Sequence, residues 1–329
     1  MKWIRVSKSR QCAVCKSDTW CTISADGRLA HCMRVESQTK SKEGWIHTLS
    51  EPIPVAQPKP VKKLKDVGGL ALKMFQALGA HEKRVWLSKK LGVSLESLLA
   101  LQVGIGFDSW DQREYASFPA RDGSGKVVGI TRRYDDGVKK TLAGTSNSGV
   151  FMVEKWWEFP GPVMVVEGAS DVAALFTNRF PGLGRPSCIG GAEVLAQLLA
   201  RRARGRQVIV VGENDRKPEK VGKVETCPKD CPGCSWCWPG RYGAESVAVK
   251  LKERGFLVYW GMPPSAKDMR AWSHQAGFEN QLLLWIQGLT NGTLQSLAQA
   301  IRDRRSAGAG QRPDGVRDAD LSRGRLALA

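Results

Sequence analysis

Apolar positions recur at three- and four-residue spacing from about Gly68 to Leu101, first through Leu70, Leu72, Met74, Phe75 and Leu78, then through Val85, Trp86, Leu87 and Leu91. That period predicts amphipathic helices. Gly79 and Gly92 are the expected stops, and Ser94 is the expected cap of a third helix. The run suits scaffold helices or a DNA-binding helix-turn-helix. The period then shortens to two. Residues 115–120, 126–134 and 138–142 predict strands of a β-meander, turned at Asp122-Gly123-Ser124-Gly125 and Asp135-Asp136-Gly137. Further on, apolar runs at 163–166, 188–189, 207–211 and 256–260 alternate with helical patterns at 171–180, 193–204 and 244–253. Such alternation predicts a mostly parallel sheet flanked by helices.

The segments between these patterns set the expected domain limits. Residues 38–66 are polar, basic and punctuated by Pro52, Pro54, Pro58 and Pro60, so they read as a semi-rigid linker, with Trp45 and Ile46 free to dock on the module before it. Residues 1–37 hold a compact cysteine cluster. Residues 67–155 form a helical and basic meander subdomain, and 156–290 an α/β domain interrupted by a cysteine-rich insertion at 216–240. Residues 291–329 are expected to be a C-terminal helix and a disordered Arg-, Gly-, Ala- and Asp-rich tail. The expected class is multi-domain α/β.

Charge narrows the partners. Fifty Lys and Arg against 32 Asp and Glu give a net charge of +18, a balance that attracts polyanions, nucleic acid first among them. No apolar run is long enough to span a bilayer, and the first ten residues lack the apolar core of a secretory signal, so a cytoplasmic protein without membrane contact is expected.

Eight of the nine cysteines fall into two groups, which in a reducing compartment point to metal ligands. In the first, Cys12 and Cys15 form a CxxC knuckle. If Asp26-Gly27 turns a hairpin, residues whose numbers sum to 53 face each other, and Cys21 with Cys32 is such a pair. Four thiolates with no spare position make a structural zinc site; His31 falls on the other face. Trp20 and Arg34 would then be offered to a nucleic-acid strand, or Trp20 would pack around the zinc. The second group, Cys227, Cys231, Cys234 and Cys237, suits a zinc knuckle or an iron–sulfur cluster. Cys188 reads as a buried small hydrophobe.

Three expected strands end in acids. One delivers Glu167, Gly168 and Asp171, with Ser170 a candidate cap; the next delivers Glu213 and Asp215; the last leads to Asp268. Ligands of open α/β sheets bind at the carboxyl ends of strands. Carboxylates gathered there repel unless hard cations neutralise them, which points to Mg²⁺ or Mn²⁺ on Glu167, Glu213 and Asp215. Between the clusters the meander is basic, with Arg121, Arg132, Arg133, Lys139 and Lys140. A two-residue turn at Asp136-Gly137 would set Arg133 opposite Lys140, and Arg132 with Lys139 on the other face.

Glu167-Gly-Ala-Ser-Asp171 resembles the Glu-Gly-x-x-Asp motif of Toprim domains, and Glu213-Asn-Asp215 resembles their Asp-x-Asp, with Glu in place of the usual first Asp. A zinc module followed by a Toprim domain is the order found in bacterial and phage primases, and the resemblance spans roughly residues 10–275. It implies a DNA primase, a nucleotidyltransferase making short RNA primers on single-stranded DNA from nucleoside triphosphates. It also implies a basic subdomain guiding template and nucleotides, and a separate replicative helicase partner, since no Gly-x4-Gly-Lys-Ser/Thr loop is found. A Toprim nuclease and a non-catalytic single-stranded DNA-binding adaptor are the alternatives.

Overall fold

The computed structural model describes residues 3–41, 43–52, 64, 66–216, 220–221, 224–225, 234–235 and 237–290. By its internal contacts the chain divides into two units, Met1–Lys62 and Lys63–Ala329.

The first unit is an antiparallel sheet of β1 (Trp3–Arg5), β2 (Thr22–Ser24), β3 (Leu29–Cys32), β4 (Thr39–Lys40) and β5 (Trp45–Thr48), in the order β1-β2-β3-β5-β4. Thr22 faces His31 and Ile23 faces Ala30, the expected register. The turn that sets it is different. Of Asp26 and Gly27 only Gly27 has positive φ, 72°, so the two-residue mirror-image turn is not made. A four-residue loop replaces it, with the Asp26 carboxylate accepting from the Ser24 hydroxyl and the Arg28 N–H. Both loops give the same sum, so the pairing survives. The sheet also runs past the expected limit at residue 37: Trp45 is paired with Cys32, and Ile46 with both His31 and Thr39. The segment taken as linker therefore begins with two strands, whose half-buried Trp45 and Ile46 the nearby prolines had obscured.

In the second unit, α1 (Val67–Gln76), α2 (Ala80–Leu91) and α3 (Leu95–Ala100) precede a four-stranded antiparallel sheet of β6 (Gly104–Asp108), β7 (Arg113–Arg121), β8 (Val127–Arg133) and β9 (Lys139–Thr141). Gly92 closes α2 with positive φ, and the Ser94 hydroxyl caps α3 by accepting from the Ser97 N–H. The extra strand β6 carries two glycines where the backbone lies tight: a Cβ on Gly104 would stand 2.4 Å from the Met74 carbonyl carbon on α1.

The α/β layer follows: β10 (Phe151–Met152), β11 (Val163–Glu167), α4 (Ala169–Thr177), β12 (Gly182–Arg185), α5 (Ala192–Arg202), β13 (Val208–Val211), the short antiparallel pair β14 (Lys220–Val221) and β15 (Val224–Glu225), α6 (Pro239–Glu253), β16 (Val258–Gly261), α7 (Met269–Ser273) and α8 (Phe278–Thr290). Its sheet has the order β10-β12-β11-β13-β16, parallel except for β10. Val163 to Val166 and Val208 to Val211 are buried, as strands covered on both faces must be. The strand expected at 188–189 is instead β12. Its glycines hid it, and packing requires them: a Cβ on Gly184 would stand 2.7 Å from the Gly168 carbonyl oxygen and 2.8 Å from a Val172 methyl. Helix α4 starts at Gly168 without a side-chain cap, so the expected Ser170 cap is not formed. The tail expected over 291–329 lies outside the described residues.

Candidate active site and thiol cluster

Parallel pairing aligns the carboxyl ends of β11, β12, β13 and β16, and the acids leave the sheet along that edge. Glu167 ends β11, Asp171 lies in the first turn of α4, Glu213 and Asp215 follow β13, and Asp268 caps α7. They act on one another through a poorly solvated region. Burial raises the pKa of Glu167, with Asp215 pushing the same way. Burial drives Asp171 well above its ordinary value, reinforced by Asp268 and Glu213. Burial, then Glu167 and Asp268, push Glu213 up to about 7. Three of the five are partly engaged: Asp215 Oδ1 accepts from the Gly240 N–H at 2.9 Å, Asp268 Oδ1 accepts from the Ala271 N–H at 2.7 Å, and Asp171 Oδ1 accepts from the Arg270 N–H at 3.3 Å. The edge brings the five acids together electrostatically. Among the described residues, only the four N-terminal thiols gather as a compact set of three or more metal-ligating atoms.

Facing this edge is the basic meander, in a register one residue from the expected one. Tyr134 and Val138 close a three-residue loop in which Gly137 takes φ 89°. Arg133 therefore stands opposite Lys139, and Arg132 opposite Lys140. The shift sorts the charges. Arg132 is paired with Asp108 and lies near the Tyr115 and Tyr134 rings. The Tyr134 hydroxyl, 2.6 Å away, is the main influence holding Asp108 down at about 2. Lys140 is paired with Asp111 at 3.0 Å. Arg133 and Lys139 make no ion pair among the described residues, and with Glu167, Gly168 and Ser170 they line a cavity of about 250 Å³. Burial, then the charge of Arg270, lowers the pKa of Arg133.

Two cations here escaped the sequence reading. Arg185 is fully buried, and Arg270 donates its backbone N–H to Asp171 at 3.3 Å while its guanidinium lies 3.8 Å from Asp268. Arg185 ends a strand whose glycines concealed it; Arg270 had only its nearness to Asp268 as a signal. Arg121 is turned inward, donating to the Gly125 carbonyl at 3.0 Å and to Gln102.

In the first unit, the ligand atoms of Cys12, Cys15, Cys21 and Cys32 lie within 4.8 Å of one another. Cys15 and Cys21 are 3.6 Å apart, and Cys21 and Cys32 4.0 Å. A tetrahedral zinc with bonds of about 2.3 Å sets its thiolates roughly 3.8 Å apart, so the cluster fits zinc. Burial pushes the Cys21 thiol up to about 12. Burial also acts upward on Cys15, but the Ser17 N–H and neighbouring thiols outweigh it and bring Cys15 down to about 7. Arg34 is committed to this knuckle: it donates to the Thr19 carbonyl at 2.9 Å and lies 3.6 Å from the Cys21 sulfur. Trp20 stands out from it, 56% exposed. His31 is not a ligand; it bonds Ser41. In the second cysteine group, Cys234 and Cys237 have sulfurs 3.6 Å apart just before α6, whereas Cys227 and Cys231 lie outside the described residues.

No helix among the described residues is long and apolar enough to cross a membrane. No family model matches the chain, and no curated protein does. Among solved structures it is similar to the DnaG primase catalytic domain bound to single-stranded DNA, at 19% identity over 67% of this chain and 76% of that one, with a TM-score of 0.47. It is similar to the primase fragment of the bacteriophage T7 primase-helicase protein, at 16% identity over 87% and 100% of the two chains, with a TM-score of 0.42. It is also similar to the zinc-binding and RNA polymerase domains of the Aquifex aeolicus primase, at 15% identity over 72% and 64%, with a TM-score of 0.49.

Proposed function

We propose that this chain is a primase-type nucleotidyltransferase that makes short RNA primers on single-stranded DNA. The observation that carries the proposal is the acidic edge: three partly or wholly buried carboxyls, Glu167 and Glu213 from the ends of two adjacent strands and Asp171 from the first turn of α4, whose pKa values are all raised and which face Arg133 and Lys139, neither in an ion pair among the described residues. An edge built this way is suited to a hard divalent cation on one side and to phosphates on the other. Glu167, Glu213 and the Oδ2 atom of Asp215 are the donors suited to Mg²⁺ or Mn²⁺, which needs only one or two carboxylates and retains waters. Bound there, the ion supplies neutralisation of the acids and of charge developing on pyrophosphate. Arg133 and Lys139 hold and orient the triphosphate or template phosphates across the cavity. Arg270 steadies Asp171 and Asp268. The zinc unit grips the template, with Trp20 as a surface on which a base stacks. The motifs around Glu167 and Glu213 give the reaction class, and a cytoplasmic setting with a separate helicase partner belongs to the same reading.

The deciding assay incubates the chain with single-stranded DNA, ribonucleotides and Mn²⁺ or Mg²⁺. Labelled oligoribonucleotides are expected. Template shortening would make it a nuclease, and binding without either product a DNA-binding adaptor. Primer synthesis at the parent rate by Glu167→Gln would overturn the metal assignment.

A further inference from the structure

We infer a second phosphate site for single-stranded nucleic acid, in the cavity lined by Arg121, Trp157, Arg201 and Arg202, at the opposite end of the sheet from the carboxylates. The cavity measures about 170 Å³. Its place follows from the topology. Helix α5 leaves the carboxyl end of β12 and returns the chain to the amino end of β13, so its last turn, with Arg201 and Arg202, lies at the amino ends of the strands. Strand β10 is antiparallel, with Phe151 opposite Gly184 and Met152 opposite Leu183, so the chain beyond Met152 also runs away from the Glu167 edge.

Cations in the last turn of a helix complement its dipole, which accounts for Arg201 and Arg202 being on α5. It does not account for Arg121, which comes from the other sheet, or for Trp157. The Arg202 guanidinium lies 4.4 Å from the Trp157 ring centroid, which holds its fork in one place. Arg121 has donors committed to Gly125 and Gln102 and contributes fixed charge. Neither Arg201 nor Arg202 makes an ion pair among the described residues, and Glu154 is the one acid in the lining. Three guanidiniums against one carboxylate leave an excess that a phosphate would neutralise through forked hydrogen bonds.

A strand suits the site better than a free nucleotide. The two cavities flank the junction where Arg121 bridges to Val150: Phe118 and Phe151 line the first, Arg121 and Met152 the second. A strand held at the first cavity thus has a second anchor across that junction. Only the identity of the anion rests on the proposed function.

The test measures binding of an oligothymidylate by the full chain, with chelator and without nucleotides, across a salt series, so that a chain that made no primers would still be read. Arg201→Gln/Arg202→Gln is expected to make the slope of log affinity against log salt shallower by about 1.4, two contacts at roughly 0.7 each on a single strand. The control Lys250→Gln/Lys252→Gln, an equal charge loss at exposed positions of α6, is expected to leave it unchanged. Equal slopes for the Arg201/Arg202 variant and the parent would overturn the inference. So would loss of adenosine monophosphate or inorganic phosphate binding, by calorimetry, with an unchanged strand slope, since that marks a small-anion site.

Discussion

Arg185, on β12, donates from Nη2 to the carbonyl oxygen of Val211, on β13, at 2.8 Å, although β11 lies between these two strands. Its guanidinium therefore crosses the carboxyl end of β11, where Glu167 is the register partner of Arg185. A second donor goes to the Cys188 carbonyl. Val211 leads straight into Gly212 and Glu213, so one buried side chain of β12 reaches over the end of the strand carrying Glu167 and ties β12 to the strand that leads to Glu213. Arg185→Met would leave these buried acceptors unpaired, at about 1–3 kcal/mol for each group. A urea unfolding midpoint unchanged by the substitution would show that the tie contributes nothing.

Much of this edge was legible because apolar runs and terminal acids are local patterns. Val163 to Glu167 and Val208 to Val211 announce themselves, and the zinc register followed from counting residues across a turn. What failed was what depends on distant packing. The glycines of β12 read as a loop until α4 is laid against them, and β6 needs α1 to explain Gly104. The meander register failed for a different reason: Asp135-Asp136-Gly137 accommodates two- and three-residue loops, and one residue of slip exchanges which lysine, Lys139 or Lys140, shares a face with Arg133.

That slip decides which basic residues matter. Arg133→Ala/Lys139→Ala is expected to weaken single-stranded DNA binding and flatten its salt dependence by about 1.4 in slope, at roughly 0.7 per phosphate contact. Lys140→Ala should have a much smaller effect, because Lys140 is already paired with Asp111. Filter binding across a salt series separates the two; equal slopes would remove Arg133 and Lys139 from the footprint.

The thiol cluster predicts one tightly held zinc per chain at the first unit. Cys21 and Cys32 are wholly buried, so Cys21→Ser should release that zinc and unfold the unit, since a sheet of strands only two to four residues long has little else to hold it. Metal analysis of the parent and the variant, with and without chelator, checks this; undiminished zinc in the variant would assign the metal elsewhere.

Glu213 links stability to pH. Its pKa rises from an ordinary 4.5 to about 7 on folding, so the folded chain binds the proton more tightly than the unfolded one. Below 4.5 both states are protonated and above about 7 both are ionised. Between these limits, metal-free stability must fall as pH rises. Glu213→Gln removes its share and should flatten the profile, leaving a residual slope from Glu167 and Asp171, which are shifted the same way. Melting temperatures in chelator across that range provide the measurement, and a profile as steep as the parent's would contradict the assignment. Added Mn²⁺ should restore stability toward neutral pH in the parent more than in the variant.

Gly168 is where strand becomes helix beside the acids, and its backbone sits at φ 86°, ψ 169°. That region is open essentially to glycine alone, and holding another residue there costs on the order of 1–3 kcal/mol. Space is not the obstacle: an added Cβ would meet nothing closer than the Lys139 ammonium at 3.8 Å. Gly168→Ala thus tests strain without a clash. Either the chain keeps the turn and loses that stability, or it relaxes the turn and moves Glu167 relative to Asp171. Gly205→Ala supplies the comparison, since Gly205 also has positive φ, 82°, and open space, but lies in the loop before β13, away from the acids. Both should lower the melting temperature, whereas only Gly168→Ala should lower Mn²⁺ affinity and primer synthesis. Equal effects of the two on Mn²⁺ binding would mean that the turn at Gly168 does not position the acids.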